Sequence, residues 1–232
     1  MLYLVATPIG NLEDITQRAL KTLFGVEIIL CEDTRKTLNL LRHFQKPGQA
    51  IPKLISYYQE NELKRIPQVI SFLKQGKEIA LVTNSGTPTI SDPGFKLVRE
   101  AWKEGILVVP IPGPSSPIAA LSASGLPTDK FLFLGFLPNK SSQRKKLFQQ
   151  LKESQKYISA TIIFFESPFR LEKSLVELKE VFADIQVVLA RELTKIHEEI
   201  KKDWISRFLE EFSQKKPKGE FVVLFNLKQE LG

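Results

Sequence analysis

Short apolar segments alternate with amphipathic helical segments through the first half of the chain, and this alternation restricts the possible folds more than any other feature. Helical spacing of Leu63, Ile66, Ile70 and Leu73 predicts one such helix over residues 60–74. The apolar runs predict buried strands at residues 2–6, 27–31, 53–56, 79–82 and 106–111. Strands joined in sequence by helices predict a parallel sheet that is covered on both faces.

The second half of the chain keeps this α/β character after a Pro-Gly-Pro segment at residues 112–114. Further strands are predicted at residues 131–137, 160–165, 186–190 and 220–227, with helices between them. Proline and glycine turns of this kind suit an interdomain hinge. We therefore expect two α/β domains, residues 1–113 and 114–232.

The segment from residue 83 to 94, called the central loop here, reads Thr-Asn-Ser-Gly-Thr-Pro-Thr-Ile-Ser-Asp-Pro-Gly and follows the predicted strand at 79–82. Small, hydroxyl-bearing, Gly and Pro residues cannot build a core, but they let bare backbone approach a ligand. Connections between a strand and a helix are usually about two to six residues long, and this one is longer. Its place at the carboxyl end of a strand predicts a ligand site.

Polar residues follow several other strands in the same way. They lie at residues 7–8, 32–35, 84–88, 166–170 and 191–195. Each segment alone is explained by a helix cap or a solvated turn. Their recurrence at the carboxyl ends of strands predicts one site built from several loops.

The sequence also excludes some classes of ligand. No two glycines stand two residues apart, so the GxGxxG dinucleotide fingerprint is missing, and no Walker A segment is present. A ligand without phosphates is therefore expected. The single cysteine, Cys31, and the two histidines, His43 and His197, predict no zinc site.

Charge and hydropathy bear on partners and location. The 232 residues carry a net charge of +7, which favours a polyanionic partner such as RNA. No apolar run approaches the roughly 20 residues that span a bilayer, and no basic segment precedes the first apolar run. We expect a cytoplasmic protein.

A series of longer motifs follows in order along almost the whole chain. They are residues 5–16 (Val-Ala-Thr-Pro-Ile-Gly-Asn-Leu-Glu-Asp-Ile-Thr), 32–35 (Glu-Asp-Thr-Arg), 86–88 with 91–94, 112–115 (Pro-Gly-Pro-Ser), 122–128, 166–168 with Arg170, and 191–195 (Arg-Glu-Leu-Thr-Lys). This series resembles the tetrapyrrole methylase superfamily, and within it the branch that acts on ribosomal RNA.

The resemblance implies a fold, a reaction and partners. It implies two α/β domains, with a parallel sheet in the first, a mixed sheet in the second and the cofactor cleft between them. It implies S-adenosylmethionine as methyl donor, 2′-O-methylation of a cytidine ribose in 16S ribosomal RNA, a homodimer, and the assembled small ribosomal subunit as the substrate.

The resemblance also assigns roles to residues of this chain. The cofactor-binding set implied is Pro8, Asn84, Ser85, Gly86, Thr87, Pro88, Ile90, Ser115, Ser116, Glu166 and Leu193. Candidates for the group that deprotonates the ribose hydroxyl are Asp33, Glu32 and Glu166, with Lys195 added if burial lowers its pKa. Candidate RNA contacts are Asp14, Arg18, Arg35, Lys36, Arg144, Lys145 and Arg170.

Two positions depart from the pattern of the branch, and two other functions stay open. Asn84 replaces the usual aspartate before Gly-Thr-Pro, and Phe169 replaces the usual histidine before Arg170. A tetrapyrrole C-methyltransferase would share the fold and a basic cleft. An RNA-binding protein with a decayed cofactor site would account for the loss of the carboxylate at Asn84.

Overall fold

The computed structural model describes residues 1–227, which divide between two compact units, Met1–Ser115 and the residues from Ser116 onward. Each unit contains its own sheet. The boundary expected from sequence, after residue 113, stays a prediction of domain organisation.

The first unit is a parallel sheet with helices in its connections, as the alternation predicts. Its strands are β1 (Leu2–Val5), β2 (Ile28–Cys31), β3 (Lys53–Ser56), β4 (Ile79–Val82) and β5 (Val108–Ile111). Its helices are α1 (Gln17–Gly25), α2 (Thr34–Phe44), α3 (Glu62–Lys74) and α4 (Phe95–Lys103). The strand order is β3-β2-β4-β1-β5, and every neighbouring pair is parallel. The carboxyl ends of all these strands therefore lie at one edge of the sheet.

The core of this unit has two layers because alternate side chains of a strand point to opposite faces. Leu30 and Leu81 belong to one buried cluster, and Ile29 and Val82 belong to the other. β2 and β4 are buried along their whole length. This explains why their sequences are continuous apolar runs rather than alternating ones.

The second unit is built on a mixed sheet. Its elements are α5 (Ser116–Ala123), β6 (Phe131–Phe136), α6 (Ser141–Ser154), β7 (Thr161–Glu166), α7 (Pro168–Phe182), β8 (Gln186–Arg191), β9 (Glu199–Trp204), α8 (Ile205–Gln214) and β10 (Phe221–Phe225). The strand order is β6-β7-β10-β8-β9. β6 and β7 are parallel, and the remaining pairs are antiparallel. The predicted mixed α/β character is confirmed.

One strand was not predicted from sequence. β9 pairs with β8 along its whole length, from Glu199 to Trp204. It forms the edge of the sheet and reads Glu-Ile-Lys-Lys-Asp-Trp, so it lacks the apolar run that marks a buried strand. Lysines on an edge strand discourage pairing with another chain.

Within residues 1–227, no helix combines the length and the apolar character that a bilayer span requires.

Candidate functional site

Loops that follow β1, β2, β4 and β5 meet at the carboxyl edge of the first sheet. β4 is the middle strand, with β2 on one side and β1 on the other. The central loop therefore begins between Glu32, which follows β2, and Thr7, which follows β1. Sequence analysis placed polar residues at these strand ends, and the parallel topology brings them to a common edge.

Backbone and side-chain hydrogen bonds join these loops. Thr7 and Gly86 form an antiparallel bridge in which each backbone N–H donates to the other carbonyl over 2.9 Å. The Thr7 hydroxyl donates to the Thr83 carbonyl over 3.2 Å. The Thr87 hydroxyl donates to the Pro114 carbonyl over 3.1 Å, which ties the central loop to the segment after β5.

The backbone of the central loop is strained. φ is positive at Thr89 (74°) and Ser91 (63°), although neither is glycine, and at Gly86 (83°) and Gly94 (127°). Such conformations cost about 1–3 kcal/mol each at non-glycine residues and persist only where their surroundings hold them. Residues in such conformations occur more often at ligand sites than elsewhere in proteins.

A buried carboxylate anchors the far end of the central loop. Glu62 accepts hydrogen bonds from the Gly94 N–H (2.9 Å) and the Tyr57 hydroxyl (3.1 Å), and it pairs with Lys96 over 3.1 Å. Burial acts to raise the pKa of Glu62, but these donors lower it below its ordinary value. The loop is thus held at Gly86 by Thr7, which follows β1, and at Gly94 by Glu62, the first residue of α3.

Two carboxyl groups lie beside Thr83 at the start of the loop. The Thr83 hydroxyl and the Asn84 N–H donate to one oxygen of Glu32, over 3.1 and 3.3 Å. Asp92 also interacts with the Thr83 hydroxyl, and burial together with the charge of Glu32 raises the pKa of Asp92 to about 6. Asp92 lies within the motif at residues 91–94, but it is not among the site residues predicted from the sequence. A carboxyl group that titrates near neutral pH can exchange a proton with a ligand.

Asp33 has a different role from Glu32. Its carboxylate caps α2 by accepting from the Arg35 N–H over 2.9 Å, and it also binds the Arg35 guanidinium at 3.1 and 2.8 Å. These hydrogen bonds lower the pKa of Asp33 to about 2. A carboxylate of such low pKa is a weak proton acceptor, so this geometry favours Asp92 over Asp33.

In the second unit, β7 and β8 end at the same edge of the sheet, where Glu166 and Arg191 both pair with Phe221. Glu166 is buried and accepts from the Ser174 hydroxyl (2.6 Å), the Ser167 N–H (2.9 Å) and Arg170 Nε (2.8 Å). These bonds fix the start of α7. Arg170 and Glu166 also form an ion pair of 2.7 Å, so Glu166 has a structural role at this position.

The segment after β8 is tied to the start of β10. Lys195 Nζ lies 3.0 Å from a Glu192 oxygen and 2.8 Å from a Glu220 oxygen. Burial acts to lower the pKa of Lys195, but the two carboxylates raise it above its ordinary value. The condition under which Lys195 was considered a base, a lowered pKa, is therefore not met. Leu193 is buried in the same segment.

Arg144, predicted to contact RNA, is buried. Its Nε and one terminal nitrogen each donate to Glu177 over 2.7 Å, and the other terminal nitrogen donates to the carbonyls of Pro138 and Asn139. Only 1% of Arg144 is exposed. Its guanidinium joins α6 to α7, and we leave it out of the RNA surface. The neighbouring Lys145 pairs with Glu180.

The other predicted cofactor and RNA residues differ in how far they are exposed to solvent. Pro8, Gly86 and Pro88 are buried and shape the loops, whereas Asn84, Ser85 and Ile90 are exposed. Ser115 ends the first unit and Ser116 begins α5, and both are half-buried. The remaining RNA candidates of the first unit are exposed, namely Asp14, Arg18, Arg35 and Lys36.

A cavity of about 440 Å³ lies beside the central loop. Its walls are the loop after β1, one face of α2 and the residues at positions 83–85. All of its lining residues belong to the first unit. Across residues 1–227, no group of three or more His, Cys, Asp or Glu side chains is placed to hold a metal ion.

Comparison with known proteins gives consistent matches. A family model for Tetrapyrrole (Corrin/Porphyrin) Methylases matches residues 1–208. A Thermotoga maritima protein named Ribosomal RNA small subunit methyltransferase I is 45% identical over 230 residues, covering 98% of this chain and 99% of the relative. A protein of the same name from Halalkalibacterium halodurans is 44% identical, covering 96% of this chain and 74% of the relative.

Solved structures match at lower identity. Cobalt precorrin-4 methyltransferase CbiF superposes with a TM-score of 0.66 at 19% identity, covering 96% of this chain and 93% of its own. The methyltransferase CobJ superposes with a TM-score of 0.68 at 16% identity, covering 97% and 93%. At these identities the likeness establishes the fold.

Proposed function

The chain belongs to the tetrapyrrole (corrin/porphyrin) methylase family, and from that premise we propose that it transfers a methyl group from S-adenosylmethionine to the 2′-oxygen of a cytidine in 16S ribosomal RNA. The observation that carries the proposal is 45% identity, over 98% of this chain, to a protein named as a small-subunit ribosomal RNA methyltransferase. The motifs described above resemble the same branch of the family.

The central loop has the chemistry that the methyl donor requires. Asn84 and Ser85 expose an amide and a hydroxyl that suit the polar groups of the donor, and Ile90 exposes an apolar surface. The nearby carboxylate of Glu32 suits a cationic sulfonium. S-adenosylmethionine supplies an activated methyl group, so the protein must hold the acceptor in line, an effect that can reach about 7–11 kcal/mol.

The residues beside Thr83 are our first choice for accepting the proton of the ribose hydroxyl. The pKa of Asp92 is about 6, and the Thr83 hydroxyl with which Asp92 interacts also donates a hydrogen bond to Glu32. A positioned base of suitable pKa contributes about 10²–10⁴-fold in rate. Asp33, Glu166 and Lys195 remain candidates, but each forms an ion pair with a neighbouring side chain in this structure.

The RNA substrate fits the net charge of +7. Of the predicted RNA contacts, Arg18, Arg35 and Lys36 are exposed on the first unit, and Lys145 and Arg170 are partly exposed on the second. The cofactor roles of Glu166 and Leu193, the homodimer, the assembled subunit as substrate and the cytoplasmic location all stay predictions.

Radioactive methyl transfer tests the reaction. The protein is incubated with labelled S-adenosylmethionine and either small ribosomal subunits that lack the modification or a uroporphyrinogen. We expect label in 16S ribosomal RNA and none in the macrocycle. Label in the macrocycle alone would favour a tetrapyrrole enzyme, and no binding of S-adenosylmethionine by calorimetry would favour a decayed site.

A further inference from the structure

The cavity beside the central loop is the feature from which a further role can be inferred. It measures about 440 Å³, within the range of roughly 300–1,000 Å³ that small-ligand sites occupy. Two of its walls come from the loops after β1 and β4, which the Thr7–Gly86 bridge holds together.

The third wall is a face of α2 that the hydrophobic core leaves free. α2 buries Thr37 and Leu41, one turn apart. Lys36, Asn39 and His43 lie on a neighbouring face at helical spacing and line the cavity. All three side chains are exposed. The helix thus offers an ammonium, an amide and an imidazole to whatever occupies the cavity.

The loop after β1 contributes apolar side chains to the cavity wall. Ile9 and Leu12 line it, and Leu12 is 37% exposed although it is a large aliphatic residue. A flat base can pack against such a surface after it has left its stack, which is how proteins read single-stranded RNA. An asparagine amide provides both a donor and an acceptor, as the Watson–Crick edge of cytosine requires. An ammonium suits the adjoining phosphate.

We infer that this cavity receives the target cytidine of the RNA, with its base between the apolar wall and Asn39 and its phosphate near Lys36. The inference rests on the proposed function. Asn84 and Ser85 line the cavity and belong to the predicted cofactor set. The acceptor would therefore lie directly beside the donor, as methyl transfer demands.

Substitutions on α2 separate this role from cofactor binding. Asn39→Ala should lower kcat/KM for small subunits by about 10–100-fold, the loss expected for a base-specific contact. It should also reduce the preference for cytidine over uridine at the target position. The affinity for S-adenosylmethionine, measured by calorimetry, should stay within about twofold of wild type, since no predicted cofactor residue is altered.

Lys36→Ala and Arg42→Ala form a matched pair, because both remove one positive charge from an exposed position of α2 and only Lys36 lines the cavity. Lys36→Ala should raise KM more than Arg42→Ala at every salt concentration. Equal effects of the two substitutions would overturn the inference.

Two further outcomes would overturn this inference alone, and a third would overturn the proposed function as well. Parallel loss of cofactor affinity in Asn39→Ala would show that the cavity holds the donor. Wild-type turnover and base preference in Asn39→Ala would show that the base lies elsewhere. A wild-type protein that binds S-adenosylmethionine but methylates no small subunit would overturn the proposed function, and this inference with it.

Discussion

Thr7 and Gly86 exchange two backbone hydrogen bonds of 2.9 Å, so the first loop of the chain and the central loop are one structural unit. A β-carbon at Gly86 would lie 3.5 Å from the Ile9 side chain, and the residue has a φ of +83°. The bridge places Pro8 and Ser85, both predicted cofactor residues, on adjoining segments. The site depends on this contact between residues far apart in sequence.

Gly94 is the position in the central loop where we expect a side chain to cost most stability. Its φ is +127°, and a β-carbon there would lie 2.5 Å from Leu81 Cδ2 in the buried core. Gly94→Ala should lower the free energy of unfolding by about 2–4 kcal/mol, measured by urea denaturation. Gly76→Ala is the control, because Gly76 has a φ of +84° but no atom within 4 Å of the added carbon. An equal loss in the two variants would refute the packing argument.

Asp92 should make stability depend on pH. Its pKa is about 6 in the folded protein, above its ordinary value of 3.8. The folded state therefore favours the protonated acid, and this contribution is lost as pH rises through 6. The full shift would correspond to about 3 kcal/mol at about 1.4 kcal/mol per pKa unit, but solvent screens a half-buried carboxylate, so Asp92→Asn should be more stable than wild type at pH 8 by about 1–2 kcal/mol. The difference should vanish below about pH 3. A variant that is less stable than wild type at pH 8 would contradict the assigned burial.

The same substitution should lower activity. If Asp92 accepts the proton, Asp92→Asn should reduce kcat by about 10²–10⁴-fold, while cofactor affinity changes little. The acid limb of the wild-type pH–kcat profile should have an apparent pKa near 6. Glu32→Gln should move that limb to lower pH, since the charge of Glu32 helps to raise the pKa of Asp92. An acid limb unmoved in Glu32→Gln would exclude Asp92 as its origin.

The pair formed by Arg144 and Glu177 should stabilise the second unit without touching RNA. Arg144→Met leaves the Glu177 carboxylate buried without its charged partner, which should cost about 3–5 kcal/mol in unfolding free energy. The double variant Arg144→Met/Glu177→Leu should recover most of the loss. A double variant as unstable as Arg144→Met would contradict the buried-charge explanation.

Phe169 should contribute to RNA binding by stacking. It is 95% exposed in the first turn of α7, which follows β7. Phe169→Ala should weaken binding to small subunits by about 1–3 kcal/mol and leave thermal stability unchanged. Tyr157→Ala is the control, because Tyr157 is 82% exposed but precedes the opposite end of β7. Equal binding losses would argue against a specific contact at Phe169.

Local patterns in the sequence predicted most of the fold, because buried parallel strands are continuous apolar runs. β9 was missed because an edge strand such as Glu199–Trp204 needs no apolar run. Contacts between residues distant in sequence determine the features of the site that local patterns do not predict. The basic residues around Arg144 predict an exposed position on a helix. Arg144 is buried because it pairs with Glu177, which lies 33 residues away in the sequence.

Asp92 was missed for the same reason. Its pKa depends on burial and on the charge of Glu32, which follows a different strand. The motif around Asp92 was visible in the sequence, but its protonation behaviour follows from the sheet order that places β2 beside β4.

The most direct test of the account is the chemical identity of the product. Small subunits that lack the modification are incubated with the protein and S-adenosylmethionine, and their RNA is digested to nucleosides for mass spectrometry. We predict a gain of one 2′-O-methylcytidine per subunit, which Asp92→Asn reduces strongly at equal cofactor occupancy. No new methylated nucleoside, or a methyl group on a base, would contradict the account.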